Sequence, residues 1–254
     1  MQRAYWDTIS HNYESEIFDV LSNDKKHLIL KLIRKHGDKN SVAADIGCGT
    51  GRFLPSLSGS FGKVVAIDIS PRLIRQAKSA NRHSGNISYI RKDLAVKSAG
   101  LPKADFVLSV NAFLDPSVTR RNAMFDNVCG QLSAGGNFLL VVPSVESKIL
   151  ADQMLIEWNL RKGFRGSAAI RNGSDNKHGF LIKGLQQGNV LIDGVSTKHY
   201  LKEELQLILG KRGMKVRQIK KIEYPWSIEF SKPPAWMKEP YPWDWLVMAR
   251  KFPF

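Results

Sequence analysis

The stretch from Ser41 to Ser70 constrains the fold of this chain more than any other. It reads SVAADIGCGTGRFLPSLSGSFGKVVAIDIS, two apolar runs separated by a glycine-rich segment and an amphipathic segment. This order predicts a strand, a glycine turn, a helix and a second strand. Such a βαβ unit builds a parallel sheet and places the turn at the carboxyl end of its first strand, where open α/β sheets bind ligands.

Two motifs in this stretch indicate a nucleoside ligand. Asp68 ends the second strand, where its carboxylate can accept two hydrogen bonds from a ribose diol. The motifs read Asp45-Ile46-Gly47-Cys48-Gly49-Thr50-Gly51 and Ala66-Ile67-Asp68-Ile69-Ser70. The first resembles the glycine motif of class I S-adenosylmethionine (SAM) dependent methyltransferases, and the second resembles their second acidic motif. The resemblance implies SAM as the cofactor.

A dinucleotide oxidoreductase is the alternative, because NAD and FAD enzymes also combine a glycine turn with an acidic residue about 20 residues further on. Two residues argue against it. The dinucleotide motif has its third glycine where this chain has Arg52. Asp45 suits the ammonium group of a methionine moiety, whereas it would repel a pyrophosphate.

The resemblance also implies a set of residues around SAM. Asp93 would accept a hydrogen bond from the adenine amino group, beside the backbone N–H of Leu94. Asn111 stands where the family faces both SAM and substrate, and Tyr13 belongs to an aromatic-rich segment that folds over the cofactor in many members. The alternatives are a surface loop for Asp93 and simple anchoring of the first helix for Tyr13. The implied cofactor-binding set is Tyr13, Asp45, Gly47, Cys48, Gly49, Gly51, Asp68, Ile69, Asp93, Leu94 and Asn111.

The rest of the chain continues the alternation of strands and helices. Later strands are predicted at 87–90, 104–110, 137–142, 215–224 and 244–250. The predicted fold is α/β and Rossmann-like, with seven mostly parallel strands and helices on both faces. The resemblance implies that the last strand is antiparallel and lies between strands five and six.

Three segments are distinguished along the chain. Residues 1–40 are predicted as two helical segments that cap the cofactor site, and 41–143 with 200–254 form the SAM-binding core. Residues 144–199 interrupt the alternation as an insertion, which the resemblance makes a substrate lid. Within the insertion the pattern predicts a long helix over 146–162 and an antiparallel hairpin over 178–197 whose turn is QQGN.

Catalytic residues are weakly indicated, because methyl transfer depends mainly on holding nucleophile, methyl and sulfur in line. The candidates for a base are His199, Asp115 and Tyr13, with His11 and His178 behind them; each also suits a structural role. Base-modifying relatives carry an Asn/Asp-Pro-Pro-aromatic tetrad, whereas this chain has Asn111-Ala112-Phe113-Leu114. Five tryptophans at 158, 226, 236, 243 and 245 either line an aromatic substrate pocket or pack under a long loop. No metal site is predicted.

Composition separates the remaining hypotheses. The net charge is +15 and the pI is near 9.9, which favours polyanionic partners, but the lysines and arginines are spread along the chain. Two cysteines, no signal peptide and no long apolar run predict a cytoplasmic protein without a membrane span. The expected activity is methyl transfer to a small molecule. An RNA or protein methyltransferase and a SAM-binding regulatory module without catalysis are the alternatives, so nucleic acid is possible as a partner but not favoured.

Overall fold

The computed structural model describes residues 3–11, 19–171, 186–192 and 194–252. Its centre is a seven-stranded sheet whose strands lie in the order β3-β2-β1-β4-β5-β9-β8. These strands are β1 (Val42–Ile46), β2 (Lys63–Asp68), β3 (Ile87–Arg91), β4 (Ala104–Val110), β5 (Leu132–Pro143), β8 (Met214–Glu223) and β9 (Trp243–Lys251). The first five strands pair in parallel, whereas β9 runs antiparallel to both β5 and β8. The predicted fold, with its antiparallel last strand between the fifth and sixth, is confirmed.

Helices cover both faces of the sheet. In chain order they are α1 (Arg3–Ile9), α2 (Val20–Asn23), α3 (Leu28–Lys35), α4 (Leu54–Ser60), α5 (Pro71–Ala80), α6 (Val118–Gln131), α7 (Val145–Arg161), α8 (Ser167–Arg171) and α9 (Lys202–Gly210), with a 3-10 turn at Trp226–Ile228. Alternate residues of β5 belong to two different cores, Leu140 to one and Leu139 to the other. Since side chains alternate across a strand, the two cores lie on opposite faces. One packs α3, α4 and α5 against the sheet, and the other packs α6 and α9.

The amino-terminal part is more broken than its apolar pattern predicts. The described residues form three short helices instead of two segments, because Asp19 caps α2 through the Ser22 N–H and Asp24 accepts the Ile29 N–H at the start of α3. Helix α1 lies against α5: the Ser70 hydroxyl donates to Asp7 Oδ1 at 2.6 Å. No helix in the described ranges is both long and apolar enough to cross a membrane.

In the insertion, the helix is confirmed and the turn of the hairpin is corrected. Strand β6 (Asn189–Ile192) pairs antiparallel with β7 (Val195–Lys198), so the chain reverses after Ile192 and not at QQGN. Gly194, just before β7, has a φ of 78°, in the left-handed region that favours glycine. The alternating sequence fits either position of the reversal. The first half of the predicted hairpin, 178–185, lies outside the described residues.

Candidate cofactor-binding site

A cleft lies where the parallel strands end. Its volume is about 650 Å³, including the part that is open to solvent. Residues that follow β1, β2, β3 and β4 meet there because parallel strands end at the same edge of a sheet. Helix α1 and the first turn of α6 contribute the other walls. The lining residues are Trp6, Gly47, Asp68, Ile69, Leu73, Lys92, Asp93, Leu94, Asn111, Ala112, Leu114, Asp115, Arg120 and Met124.

The lining includes six of the eleven residues implied by the sequence: Gly47, Asp68, Ile69, Asp93, Leu94 and Asn111. Asp45, Cys48, Gly49 and Gly51 lie in or directly before the glycine turn, next to the lining residue Gly47. Cys48 is buried and its thiol is free of any disulfide. Tyr13 lies outside the described residues. The structure therefore brings most of the implied set to one cleft.

Asp68 ties the glycine turn to the end of β2. Its Oδ2 accepts the Gly49 N–H at 3.0 Å, and its Oδ1 accepts the Ser70 N–H at 2.8 Å. Burial raises the pKa of this carboxyl, although the backbone hydrogen bonds act against that rise. Each carboxylate oxygen can accept a second hydrogen bond. Asp68 is thus oriented by the backbone and still able to bind two hydroxyl groups at the cleft wall.

We predict that Asp68→Ala weakens SAM binding by roughly 10- to 100-fold. Two ribose hydroxyls would lose a buried acceptor, which corresponds to about 1–3 kcal/mol. Calorimetric titration with SAM measures the change. Asp105→Asn is the control, because Asp105 lies at the other end of β4 and accepts the Val42 N–H. A folded Asp68→Ala protein with unchanged affinity would remove Asp68 from this role.

Asp45 is buried without a hydrogen bond at one oxygen. The residue is 2% exposed, and Oδ2 has no partner among the described residues. Burial, with a smaller contribution from the nearby Asp68 charge, raises the pKa of Asp45 to about 7. A buried carboxyl with an unsatisfied oxygen beside a glycine turn fits a cationic group, such as the ammonium of the methionine part of SAM.

Arg120 is a cleft residue that sequence reasoning missed. Its Nε donates to Asp115 Oδ2 at 2.8 Å, and its Nη2 lies 3.4 Å from Asp93 Oδ2. In the sequence, Arg120 resembles one more cation on a solvated helix face. The sequence signal for Arg120 was the pair of acids at 93 and 115, for which no basic side chain was predicted as a partner. Trp6, from the aromatic-rich segment, lines the cleft as well.

We predict that Arg120→Gln weakens SAM binding by about three- to fivefold. Asp93 and Asp115 would keep their charges but lose the cation between them, and partly exposed ion pairs of this kind contribute up to about 1 kcal/mol. Titration with SAM and with adenosine measures the effect, which should appear for both ligands. Arg82→Gln, at the exposed end of α5, is the matched control; equal affinities in the two variants would contradict the prediction.

The structure separates the candidate catalytic residues. Asp115 lines the cleft, but its oxygens already accept hydrogen bonds from Arg120 Nε and the Ser117 N–H. His199 is buried, does not line the cleft, and neither ring nitrogen has a partner in the described part of the chain. Burial, reinforced by Lys148, lowers the pKa of His199 to about 4. His11 is exposed and faces Arg72 at 3.0 Å, and His178 lies outside the described residues.

The tryptophans pack against other side chains. Trp226 stacks on Phe230 at 5.6 Å between ring centroids, Trp158 meets the edge of Phe230, and Trp243 meets Trp245 edge to face. The Arg161 guanidinium lies over the Trp236 ring. None of the five lines the cleft. These contacts favour packing under the loop over an aromatic substrate pocket.

Comparison with known proteins indicates a methyltransferase domain. Residues 43–136 match the family described as Methyltransferase domain, a range that holds the glycine turn and every strand of the cleft. In this range the chain resembles the class I SAM-dependent methyltransferases, whose cofactor is SAM. The match covers the first four strands and α6, and the elements from α7 to β9 lie beyond it.

The curated relative is phosphoethanolamine N-methyltransferase 1 from Zea mays, 29% identical over 99 residues. That alignment covers 37% of this chain and 19% of the relative, so most of the maize protein has no counterpart here.

The fold extends to solved structures with low sequence identity. N-methyltransferase NodS from Bradyrhizobium japonicum, in complex with S-adenosylhomocysteine (SAH), has a TM-score of 0.62 at 13% identity, covering 98% of this chain and 97% of that one. Magnesium protoporphyrin IX methyltransferase from Synechocystis, with bound SAM, has a TM-score of 0.60 at 12% identity, covering 98% and 94%. A SAM-dependent methyltransferase from Methanosarcina mazei scores 0.59 at 18% identity, covering 87% and 97%. At these identities the likeness shows the fold.

Proposed function

We propose that this methyltransferase transfers the methyl group of SAM to a small organic molecule. The observation that carries the proposal is the cleft, where Asp68 ends β2 and where Asp93 and Asn111 follow β3 and β4. Asp45 supports it from behind the glycine turn, because its unpartnered oxygen fits a cationic group. When bound, SAM supplies a methyl group activated by its positive sulfur.

In this proposal the chain's own residues bind and orient. Asp68 accepts from two ribose hydroxyls, Asp93 accepts from the adenine amino group, and the Leu94 N–H donates to the ring beside it. Asp45 pairs with the ammonium of the methionine part. Binding in this way holds the reacting groups in line. Effective molarities of intramolecular reactions indicate that such positioning can lower the activation barrier by about 7–11 kcal/mol. No covalent intermediate with the protein is required.

Segments outside the sheet are proposed to cover the cleft. Trp6 of α1 lines the cleft, and the Gln76 side chain holds α1 through the Ser10 carbonyl at 3.0 Å. This contact supports residues 1–40 as a cap. Residues 144–199 are proposed as the substrate lid. The two ends of this segment meet beside β5, where the Val145 N–H donates to the Tyr200 carbonyl and the Tyr200 N–H donates to the Pro143 carbonyl.

The small-molecule acceptor is supported by the proteins that the chain resembles. NodS and the maize relative are named as N-methyltransferases, and the Synechocystis protein is named for magnesium protoporphyrin IX. The charge of +15 favours an RNA or protein substrate instead, and a regulatory SAM-binding protein would share the same cleft. A cytoplasmic location is proposed because both cysteines, Cys48 and Cys129, are free and buried.

Calorimetric titration with SAM, SAH and NADH tests the cofactor, and SAM turnover against a metabolite panel tests the acceptor. We expect micromolar binding of SAM and SAH, no binding of NADH, and turnover with at least one metabolite. Binding of NADH alone would contradict the proposal. Binding without turnover on metabolites, but with methylation of bulk RNA or protein, would replace the small molecule by a macromolecule. SAM binding with no turnover on any of these would favour the regulatory module.

A further inference from the structure

The motif Pro242-Trp243-Asp244-Trp245 spans the last residue before β9 and the first three residues of that strand, and the proposed function leaves it unused. Asp244 is the second residue of β9, where it pairs with Pro143 at the end of β5. Because β9 runs antiparallel to β5, the beginning of β9 lies at the carboxyl edge of the parallel strands. Asp244 is thus delivered to the same edge of the sheet as the cleft.

Asp244 contacts a residue of the cleft wall. Asn111 lines the cleft, and its Nδ2 lies 3.4 Å from Asp244 Oδ2. On its other side, the Asp244 carboxylate has the Tyr224 hydroxyl, just after β8, as a polar neighbour. The three side chains come from the ends of β4, β8 and β9 and form one buried polar group, which we call the Asn111–Asp244–Tyr224 network.

This network combines three features that cost stability. Asp244 is 7% exposed, and no lysine or arginine of the described ranges pairs with it; its charged neighbour is Glu229. Asn111 has a φ of 50°, in the left-handed region. Its Oδ1 is buried without a hydrogen-bond partner in the part of the chain that the structure describes. A buried acid without a cation, a strained residue and an unsatisfied oxygen in one place indicate a binding function.

The Asp244 carboxylate determines the orientation of the Asn111 amide. An ionised carboxylate only accepts hydrogen bonds, so the amide nitrogen of Asn111 turns toward Asp244 and Oδ1 turns away from it. Oδ1 is then left without a donor, on a residue that lines the cleft, with the negative charge of Asp244 behind the amide. A ligand group that suits both the Asn111 oxygen and the Asp244 charge is an N–H donor that carries or develops positive charge.

We propose that Asp244 is a positioning residue that holds the Asn111 amide, and that the methyl acceptor is an amine. This inference rests on the proposed function and names its substrate class. An N–H of the amine donates to Asn111 Oδ1, and the nitrogen lone pair forms the new N–C bond. The S–C bond breaks, its electron pair stays on sulfur to give SAH, and the product ammonium releases its proton to water. Positive charge moves onto nitrogen, where the Asn111 oxygen held by Asp244 stabilises it.

Sinefungin tests this proposal without a known substrate, because it carries a primary amine where SAM carries the transferred methyl group. We expect the wild-type protein to bind sinefungin more tightly than SAH. In Asp244→Asn the amide of Asn111 is no longer fixed and the charge is gone, so the ratio of sinefungin to SAH affinity should fall about tenfold or more. SAH affinity should change by less than about threefold, since SAH has no group at this position.

Asn111→Gly is the second variant, because glycine keeps the positive φ at no steric cost while the amide is lost. If Asp244 acts through Asn111, the double variant should lose no more sinefungin preference than either single variant. Asp105→Asn, an acid at the opposite end of β4, is the control and should leave the ratio unchanged. A turnover assay tests the substrate class separately. Amines should be methylated, whereas alcohols with the same carbon skeleton should not. Phenethylamine and phenethyl alcohol are one such pair for the panel.

The outcomes separate the two proposals. A protein that binds neither SAH nor sinefungin would overturn the proposed function itself. Binding of both with the same ratio in wild type and Asp244→Asn would overturn only the role of Asp244. A loss of SAH affinity equal to that of sinefungin would also overturn it, by assigning the network to the amino-acid part of the cofactor. Methylation of alcohols in preference to amines would overturn the substrate class.

Discussion

Asp45 is expected to make a contribution that destabilises the cofactor-free protein as the pH rises from about 4 to about 7, whereas the lowered pKa of His199 acts in the opposite direction. The ordinary pKa of this carboxyl is 3.8, whereas burial raises the pKa to about 7 in the folded protein. Between these values the folded state holds a proton on Asp45 that the unfolded chain has released, so each step upward in pH favours unfolding. Over the whole window the loss from this one group is on the order of 4 kcal/mol, at about 1.4 kcal/mol per pKa unit.

Asp45→Asn isolates this contribution. The amide has the same shape and does not titrate, so the variant should be more stable than wild type at pH 7.5 and similar to it at pH 4.5. Urea denaturation at four pH values between these limits measures the difference. Other buried acids, Asp68 and Asp244 among them, have raised pKa values too and cancel in the comparison. A difference between variant and wild type that does not vary with pH would contradict the prediction.

Asp45 is also expected to couple SAM binding to the release of a proton. In the proposed function the ammonium of SAM pairs with the ionised form of Asp45, so binding at pH 6.5 should release a fraction of a proton from the protein. Calorimetry in two buffers with different ionisation enthalpies measures that release directly. Affinity should rise from pH 5.5 to 7, and Asp45→Asn should abolish both the release and the rise. Proton release that persists in Asp45→Asn would assign the effect to another group.

The fold was predictable from sequence because its signals are local. The glycines at 47, 49 and 51, the apolar run before them and Asp68 after the next run all lie in one βαβ unit, whose handedness and edge follow from general rules. The position of β9 between β5 and β8 was given by the family resemblance, and the pairing of Val247 with Leu140 and Ile219 confirms it. The hairpin turn was misplaced because alternating residues at 178–197 fit more than one register.

The site was less predictable because its decisive contacts are distant in sequence. Arg120 joins Asp93 across 27 residues, and Asn111 meets Asp244 across 133. No periodicity encodes such a pair; only the order of strands in the sheet brings the two residues together. His199 shows the reverse case, in which a residue type typical of catalysis lies buried outside the cleft lining. The cleft residues at the ends of the first strands could therefore be named from the sequence, whereas the contact between Asn111 and Asp244 could not.

Gly47→Ala is expected to destabilise the protein by about 2–4 kcal/mol and to abolish measurable SAH binding. Gly47 has a φ of 70°, and a Cβ there would overlap the Cβ of Ala112. The left-handed backbone costs alanine roughly 1 kcal/mol, and relieving the overlap by moving backbone adds about 1–3 kcal/mol. Both residues line the cleft, so that movement displaces the turn and the segment after β4 together.

Gly59→Ala is the matched control, because this glycine lies inside α4, a Cβ there meets nothing within 4 Å, and its φ is not positive. The control should leave SAH affinity unchanged and stabilise the protein by about 0.5–1 kcal/mol. The double variant Gly47→Ala/Ala112→Gly removes the overlap but keeps the backbone strain. It should therefore recover part of the stability, and its SAH affinity should return within about tenfold of wild type if close approach of the two segments shapes the cleft. A double variant no better than Gly47→Ala would mean that the left-handed backbone at Gly47, and not its contact with Ala112, is what the site requires.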